Sequence, residues 1–288
     1  MVSVPNDRRQ PVPEGSLVRS SDIGLAVPIV AGIRVGRRGR QATNLDREAI
    51  CGDFRNGGPG APTFATLFAD CLAEGKAWAN KMNSDSAAEW RDNRQSFRGM
   101  QWSYDRDYTL RSVAGRYVSV VRSDAWFDGG AHPNQHIHTI LWDDAAHKRV
   151  SIRPFFTETA DNGPTMTALA QLAKLAVASD KLAIGIDGYG DEDKPGAAMT
   201  PEQELHQDNF INEGVKPALL EIGPVTLAPS TESGKSAGLT FQYSPYAVGP
   251  YVEGPYTVFV PWTAFRQYLS PEGLAVFGGE RPKGDDNR

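Results

Sequence analysis

The chain has 288 residues and a formal net charge of −5, with 40% hydrophobic and 23% charged residues. This composition is typical of a globular protein, and the acidic balance disfavours the nucleic-acid-binding class, whose members usually carry a basic excess. The longest mainly apolar stretch, residues 24–33, is interrupted by Pro28 and is too short to span a membrane. The length allows one large domain or two smaller ones.

The first third of the chain predicts a long helix preceded by strands. Residues 23–35 have the apolar character of one or two strands, and residues 56–60 form a loop rich in glycine. Apolar residues then recur with helical spacing from Thr63 to Met82, which predicts an amphipathic helix with Cys71 on its buried face. A polar segment that is compatible with a helix follows, up to Phe97.

The middle of the chain changes to the period of β-strands and then returns to helical spacing. Four runs predict strands in two pairs: 102–113 with 117–127, and 136–142 with 150–156. Residues 165–178 predict a second helix. The tetrad from Thr200 to Gln203 is a capping box with proline at the first helical position, so a short helix is expected to continue to about Asn212.

The last third predicts three strands and a short helix: 225–227, 239–243, 256–260 and then 262–269. Strands therefore occur in runs with helices inserted between them, rather than in strict alternation with helices. This order predicts the α+β fold class. We expect a mixed, mainly antiparallel sheet with packed helices, in two lobes that share an interface near residues 124–130.

The sequence contains none of the common catalytic motifs. G-x-S-x-G, the P-loop, G-x-G-x-x-G, H-E-x-x-H and C-x-x-C are all absent. Their absence removes the enzyme classes that are easiest to recognise, but it does not exclude an enzyme.

The densest group of chemically versatile side chains is a set of three histidines, His132, His136 and His138. The last two fall on one face of a strand, because strand side chains alternate with a period of two. With His132 and the carboxylate of Asp128 they could supply four zinc ligands. The spacing matches no established ligand signature, so we interpret the histidines as structural and expect no metal and no other cofactor.

Each of two charged segments allows a functional interpretation and a purely structural one. The acidic segment 187–193 could bind calcium, but it lacks the order of acids and glycine of an EF-hand loop. The basic run at Arg34, Arg37, Arg38 and Arg40 could meet an anionic polymer of the envelope. A solvated loop is the favoured interpretation for both.

Tyrosines concentrate in residues 241–256, where prolines and glycines alternate with them. Tyr246, Tyr251 and Tyr256 could stack on sugar rings or form a protein-binding patch, because tyrosine offers a large contact area at a small entropy cost. The competing interpretation is that the rings cover the edge of the sheet beneath them, and composition alone favours it.

Four segments in a fixed order resemble a known family. They are Gly129-Gly130-Ala131-His132-Pro133, then 150–156, 243–254 and 258–262. Over about residues 104–277 the chain resembles the extracytoplasmic domain shared by RsiV-type anti-sigma factors and the non-catalytic region of PdaC-type peptidoglycan deacetylases. The resemblance implies a C-terminal domain over 126–279 and an N-terminal companion region over 15–125. Independently of the resemblance, we expect disordered tails over 1–14 and 280–288, because the C-terminal segment has no apolar residue to anchor it.

The resemblance also implies a role and a place. The RsiV-type domain is a receptor for lysozyme, and related chains are tied to the cell envelope, so we expect a periplasmic or secreted binding or sensing protein. The chain has no secretory signal in its first 15 residues, so the expectation of export depends on the resemblance. No sigma-binding segment and no deacetylase motif is present, and neither activity is carried over.

The expected location decides between two states of the cysteines. Outside the cytoplasm Cys51 and Cys71, the two cysteines of the chain, would form a disulfide. In the cytosol both would be ordinary thiols. The spacing of the two residues prefers neither state.

Together these observations predict a protein that binds a lysozyme-like protein or a peptidoglycan fragment without turnover. The expected contact residues are Gly129, Gly130, His132, Tyr246, Tyr251 and Tyr256. The alternative is a hydrolase of envelope polysaccharide or peptidoglycan that uses His132, Asp128 or Glu253 as its general acid or base.

Overall fold

A computed structural model describes residues 17–19, 29–36, 65–93, 102–128, 131–185 and 199–285 of the protein. Its helices and antiparallel strands confirm the α+β fold class. The chain divides into two compact units. The first takes its described residues from 1–108 and 124–134, and the second takes them from 109–123 and 135–288. Within the described ranges, no helix combines the length and the apolar character needed to cross a bilayer.

The nine strands are β1 (Leu17–Arg19), β2 (Ile29–Gly36), β3 (Trp102–Ala114), β4 (Tyr117–Phe127), β5 (Asn134–Asp143), β6 (Lys148–Val150), β7 (Val225–Leu227), β8 (Gly238–Tyr243) and β9 (Tyr256–Pro261) within the described residues. The α-helices there are α1 (Ala65–Asp92), α2 (Pro164–Ala183), α3 (Pro201–Gln207), α4 (Asn209–Gly214), α5 (Trp262–Phe265) and α6 (Pro271–Val276). Hydrogen bonds order the strands as β1-β2-β3-β4-β5-β6 in one sheet and β7-β8-β9 in the other. Strands β3 and β4 contribute residues to both units.

Helix α1 of the first unit is longer than the apolar periodicity predicts, because it continues through the polar segment after Met82 to Asp92. Its buried face also continues, with Asn83 and Ser86 in the buried positions. The amide of Asn83 donates to the carbonyl of Ala79 at 2.9 Å, and the hydroxyl of Ser86 donates to the carbonyl of Met82 at 2.7 Å. These bonds to the helix backbone allow polar side chains to be buried without leaving their donors unsatisfied.

The core of the second unit forms where α2 packs against β9 and its sheet. Leu169, Ala173 and Val177 recur at every fourth position of α2, and all three are fully buried. All six residues of β8 are buried as well, because β8 is the central strand between β7 and β9. In the pairing of β8 with β9, Tyr243 lies opposite Tyr256. The tyrosine-rich segment therefore begins and ends on two adjacent strands.

An aromatic cluster completes the second unit. It consists of Phe155, Phe156, Phe265 and Phe277. The ring of Phe277 lies 5.7 Å from that of Phe155 and 5.2 Å from that of Phe265, both in edge-to-face arrangement, and the Phe156 and Phe265 rings are 5.8 Å apart. Such edge contacts are the favoured geometry for aromatic pairs. The last elements of the chain are therefore part of the core.

The predictions for residues 150–156 and for the helix after Thr200 also differ from the structure. The strand expected over 150–156 ends at Val150, and a 3₁₀ turn over Arg153–Phe155 replaces it, because Pro154 has no N–H to donate to a sheet. The capping box at Thr200 and Gln203 is confirmed, but the helix it begins stops at Gln207. Asp208 starts a new helix there, since its Oδ1 accepts a 3.0 Å hydrogen bond from the backbone N–H of Ile211.

Candidate functional site

The most distinctive surface feature of the second unit is the tyrosine loop, which we define as residues 244–255 between β8 and β9. The rings of Tyr246 and Tyr251 form a pair, with centroids 5.4 Å apart and planes inclined by 37°. Tyr246 is 58% exposed, and Val252 beside this pair is 90% exposed. The loop therefore presents the ring of Tyr246 and the aliphatic side chain of Val252 to solvent, with the half-buried ring of Tyr251 beside them.

The backbone of the tyrosine loop is held by its own hydrogen bonds. The N–H of Ala247 donates to the carbonyl of Ser244 at 3.0 Å, and the N–H of Gly254 donates to the carbonyl of Tyr251 at 3.0 Å. Tyr246 has a φ of +70°, which is uncommon for a residue with a bulky side chain. Strained positions of this kind persist where the surrounding structure determines them, and they concentrate at functional sites.

Beneath the loop lies a buried set of polar side chains, the lysine cluster, which consists of Lys181, Asp208, Glu253 and Tyr256. The Nζ of Lys181 lies 2.6 Å from Oδ2 of Asp208 and 3.2 Å from Oε2 of Glu253. The Lys181 side chain is only 2% exposed. The phenol of Tyr256 donates a 2.6 Å hydrogen bond to the same oxygen of Glu253. The cluster thus joins α2, the cap of α4, the tyrosine loop and β9.

The surroundings of the lysine cluster raise the pKa of the Tyr256 phenol. Burial raises the pKa of Tyr256, and the hydrogen bond to Glu253 and the negative charges of Glu253, Asp180 and Asp208 raise it further. The phenol therefore remains protonated at neutral pH and is available as a donor to Glu253. The ammonium group of Lys181 also lies over the Tyr256 ring, 5.6 Å from its centroid.

Two glycines allow the chain to approach the cluster closely. A Cβ on Gly249 would lie 2.1 Å from Oε2 of Glu253 and 3.1 Å from Nζ of Lys181. A Cβ on Gly214, at the end of α4, would lie 1.8 Å from the carbonyl oxygen of Ala247. Only glycine fits at Gly214, because the clash there is with backbone, and a Cβ at Gly249 would displace the carboxylate of Glu253. The loop backbone is therefore packed directly against the lysine cluster and α4.

The structure separates the tyrosines that the sequence grouped together. Tyr246 and Tyr251 belong to the loop surface, whereas Tyr256 is 2% exposed and holds Glu253 from below. Glu253, the carboxylate considered as a general acid or base, is itself a member of the lysine cluster, with 8% of its side chain exposed.

The other candidate residues belong to the first unit. Asp128 is exposed, and His132 is half-buried with its Nδ1 3.0 Å from the carbonyl of Pro133. Burial raises the pKa of Tyr104 to about 12, with smaller contributions from the charges of Asp128 and Asp85. Gly129 and Gly130 lie outside the described residues.

The predicted face shared by His136 and His138 is confirmed, since their rings are 4.2 Å apart on β5. Among the residues that the structure describes, no three or more His, Cys, Asp or Glu side chains are grouped so as to hold a metal ion. The acidic segment 187–193, the arginines at positions 37, 38 and 40, the side chain of Arg34, and Cys51 lie outside the described residues. Cys71 is buried on α1.

A second buried charged group lies in the first unit. Arg106 donates two hydrogen bonds to the carboxylate of Asp124, at 2.5 and 2.6 Å, and its Nη1 lies 3.5 Å from Glu74. Its guanidinium also lies 4.4 Å from the centroid of the Trp78 ring. Arg106 occupies an inward position of β3, between the buried side chains of Tyr104 and Tyr108.

Neither buried charged group was predicted from the sequence as a group, although Glu253 and Tyr256 of the lysine cluster were among the predicted site residues. A signal for the lysine cluster exists nevertheless: Lys181 follows Ala173 and Val177 at the next fourth position of the apolar stripe of α2. A lysine on a buried stripe requires a partner. Its partners could not be identified, because Asp208 is 27 residues away and Glu253 is further still.

The comparisons with known proteins found similarity over the residues that form this site. A family model described as "Protein of unknown function (DUF3298)" matches residues 166–263, which include the whole tyrosine loop and all four residues of the lysine cluster. Among curated proteins, none matches the chain. The match therefore shows that this part of the chain is similar to the DUF3298 family, and it adds no activity.

Two solved structures of the same family are similar to the chain. One is a DUF3298 family member from Bacteroides fragilis NCTC 9343, with 13% identity over 86% of this chain and 87% of that chain and a TM-score of 0.50. The other is a DUF3298 family protein from Pseudomonas aeruginosa PAO1, with 19% identity over 65% of this chain and 71% of that chain and a TM-score of 0.41. At these identities the first likeness concerns the fold alone.

Proposed function

We propose that this protein binds a ligand of the cell envelope, without turnover, through the tyrosine loop. The ligand we propose is a lysozyme-like protein or, failing that, a peptidoglycan fragment, and the place of binding is outside the cytoplasmic membrane. The observation that carries the proposal is the ring pair of the exposed Tyr246 and the half-buried Tyr251 on a loop whose base is held by buried charges. The resemblance to the RsiV-type domain supports the choice of ligand.

The exposed side chains and the ordered backbone of the tyrosine loop favour a role in binding over a role in stabilising the fold. Exposed aromatic rings add little to a fold, but they supply large contact areas with few rotatable bonds. The loop is also ordered before any ligand arrives, because its backbone bonds and the lysine cluster fix it. A preorganised surface avoids much of the entropy cost of association.

The lysine cluster argues against Glu253 as a general acid or base for the hydrolysis of an external substrate. Such a group must lie within hydrogen-bond reach of the substrate. The Oε2 of Glu253 already accepts from Tyr256 and contacts Lys181, beneath the backbone of Gly249. This arrangement directs Glu253 to neighbours inside the protein and away from an external substrate, and it weakens the hydrolase alternative in the second unit.

The charge of the chain supports a basic partner. A lysozyme-like protein carries excess positive charge, and this protein has a net charge of −5. Electrostatic attraction would then raise the association rate, and the affinity would fall as salt is added. A peptidoglycan fragment would depend more on stacking against the tyrosine rings, and its affinity would respond less to salt.

Calorimetry of the full chain against a lysozyme, and separately against soluble peptidoglycan fragments, tests the proposal. Tyr246→Ala should weaken binding by about 1 to 3 kcal/mol if the ring is an anchor. The control is Leu220→Ala, which removes another exposed apolar side chain of the second unit, 95% exposed, from outside the loop. Equal affinities of the two variants would contradict the proposed surface. Release of product from the fragments without binding heat would favour the hydrolase.

A further inference from the structure

The lysine cluster places an amine beside a carboxyl group in a buried environment. The side chains of Lys181, Asp208 and Glu253 are 2%, 9% and 8% exposed. At 2.6 Å from Oδ2, the Nζ of Lys181 is already adjacent to the carboxyl carbon of Asp208. Holding two reacting groups in contact removes most of the entropy cost of a reaction between them.

The two oxygens of Asp208 have different partners. Oδ1 accepts the capping hydrogen bond from the N–H of Ile211 at 3.0 Å, whereas Oδ2 faces Lys181. In an amide, Oδ1 would be the carbonyl oxygen, and an amide carbonyl still accepts a hydrogen bond. Oδ2 would be the oxygen that leaves. Formation of an amide would therefore preserve the cap of α4.

We propose that Lys181 and Asp208 become joined by an intramolecular isopeptide bond, with Glu253 as the catalytic residue. Nζ of Lys181 first transfers a proton to Oδ2 of Asp208, which leaves a neutral amine beside a carboxylic acid. The amine attacks Cγ of Asp208, so that the Nζ–Cγ bond forms and the Cγ–Oδ2 bond then breaks. Glu253, whose Oε2 lies 3.2 Å from Nζ, takes a proton from the nitrogen and returns it to the leaving oxygen. One ammonium and one carboxylate thus give one amide and one water, without an oxidant or a co-reactant.

The surroundings favour the amide. Charges inside a protein carry a desolvation penalty, and the reaction replaces two of them by a neutral group. Tyr256 holds Glu253 by a hydrogen bond, and the backbone of Gly249 covers both Glu253 and Lys181. The product would link the end of α2 to the cap of α4. This inference does not depend on the proposed binding function.

The mass of the full chain under denaturing conditions tests the proposal. We expect the purified protein to be lighter than its sequence by one water molecule. Trypsin should then fail to cut after Lys181, and the fragment that begins at Leu175 should carry the missing water and residue Asp208. Glu253→Gln should show the full mass. Lys174→Arg, which alters another lysine of α2, should still lose one water and serves as the matched control.

Two results would overturn the proposal. The first is a wild-type protein with the full mass and ordinary tryptic cleavage after Lys181, a result that needs no variant and is independent of whether variants fold. The second is a loss of water that persists in Lys181→Arg. Cyclisation at an Asp-Gly pair such as Asp187-Gly188 would also release water, but it would not depend on Lys181.

Discussion

The phenol of Tyr256 donates a 2.6 Å hydrogen bond to the carboxylate of Glu253, three residues earlier in the chain. Tyr256 begins β9, and Glu253 ends the 3₁₀ turn of the tyrosine loop. The bond therefore connects the loop to the sheet at the point where the chain leaves the loop. It also gives the buried Glu253 a neutral donor in addition to Lys181.

Removal of this phenol should destabilise the second unit. A hydrogen bond to a charged group contributes about 1.5 to 3 kcal/mol, so Tyr256→Phe should lower the free energy of unfolding in urea by that amount. Tyr246→Phe removes a hydroxyl from a residue that is 58% exposed, and a surface change of this kind should alter stability by at most about 0.5 kcal/mol. Equal losses in the two variants would contradict a specific role for the bond.

Breaking the buried ion pair of the first unit should lower the free energy of unfolding far more than breaking a surface pair. Asp124→Ala leaves Arg106 buried without its bidentate partner, and such a change costs about 3 to 5 kcal/mol. Asp85→Ala removes the partner of Lys81 from a pair with 68% and 55% of its side chains exposed, and it should cost about 1 kcal/mol or less. Urea unfolding of both variants gives the comparison. A small loss for Asp124→Ala would indicate that water reaches Arg106.

The loop before α2 should make stability depend on pH. Hydrogen bonds from the N–H groups of Thr165 and Ala160, at 2.8 and 2.9 Å, lower the pKa of Glu158 below its ordinary value of 4.5. A carboxylate with a lowered pKa stabilises the fold above its unfolded pKa and loses that effect as the pH falls through the lower, folded value. The stability difference between wild type and Glu158→Gln should therefore be present at neutral pH and shrink as the pH falls below 4.5. A constant difference across the series would contradict this assignment.

The cysteine pairing remains a prediction, since Cys71 is buried on α1 and Cys51 lies outside the described residues. If the protein is exported, titration of the denatured, unreduced chain should detect no thiol. The reduced chain should then be less stable, by about 3 kcal/mol in the chain-entropy model. Two equivalents of thiol in protein isolated from an oxidising compartment would exclude the disulfide.

The elements set by local pattern could be predicted from the sequence. Strands β4 and β7 have the predicted bounds, and the capping box of Thr200 and Gln203 forms as expected. Alternation of apolar residues and helix capping are properties of a few neighbouring residues, so the sequence displays them directly. Helix α6 was not predicted, although Ser270 followed by Pro271 is a recognisable start for a helix.

The candidate site could not be predicted in the same way. The pairings of Lys181 with Glu253 and of Arg106 with Asp124 join residues that are distant along the chain, and no periodicity specifies them. The exposure of Tyr246 and the burial of Tyr256 depend on where the loop meets α4 and the sheet. Composition identifies the tyrosines as a group, but only packing assigns each ring to the surface or to the interior.

The aromatic cluster sets a lower limit on the length of a fragment of this chain that can fold by itself. The family model covers residues 166–263, yet Phe155, Phe265 and Phe277 lie outside that range and are each at most 3% exposed. A fragment cut at those limits would lack these rings and would expose apolar residues of the core to which they belong. Such a fragment should aggregate or be degraded, so the independently folding unit must extend past Phe277 at one end and before Phe155 at the other.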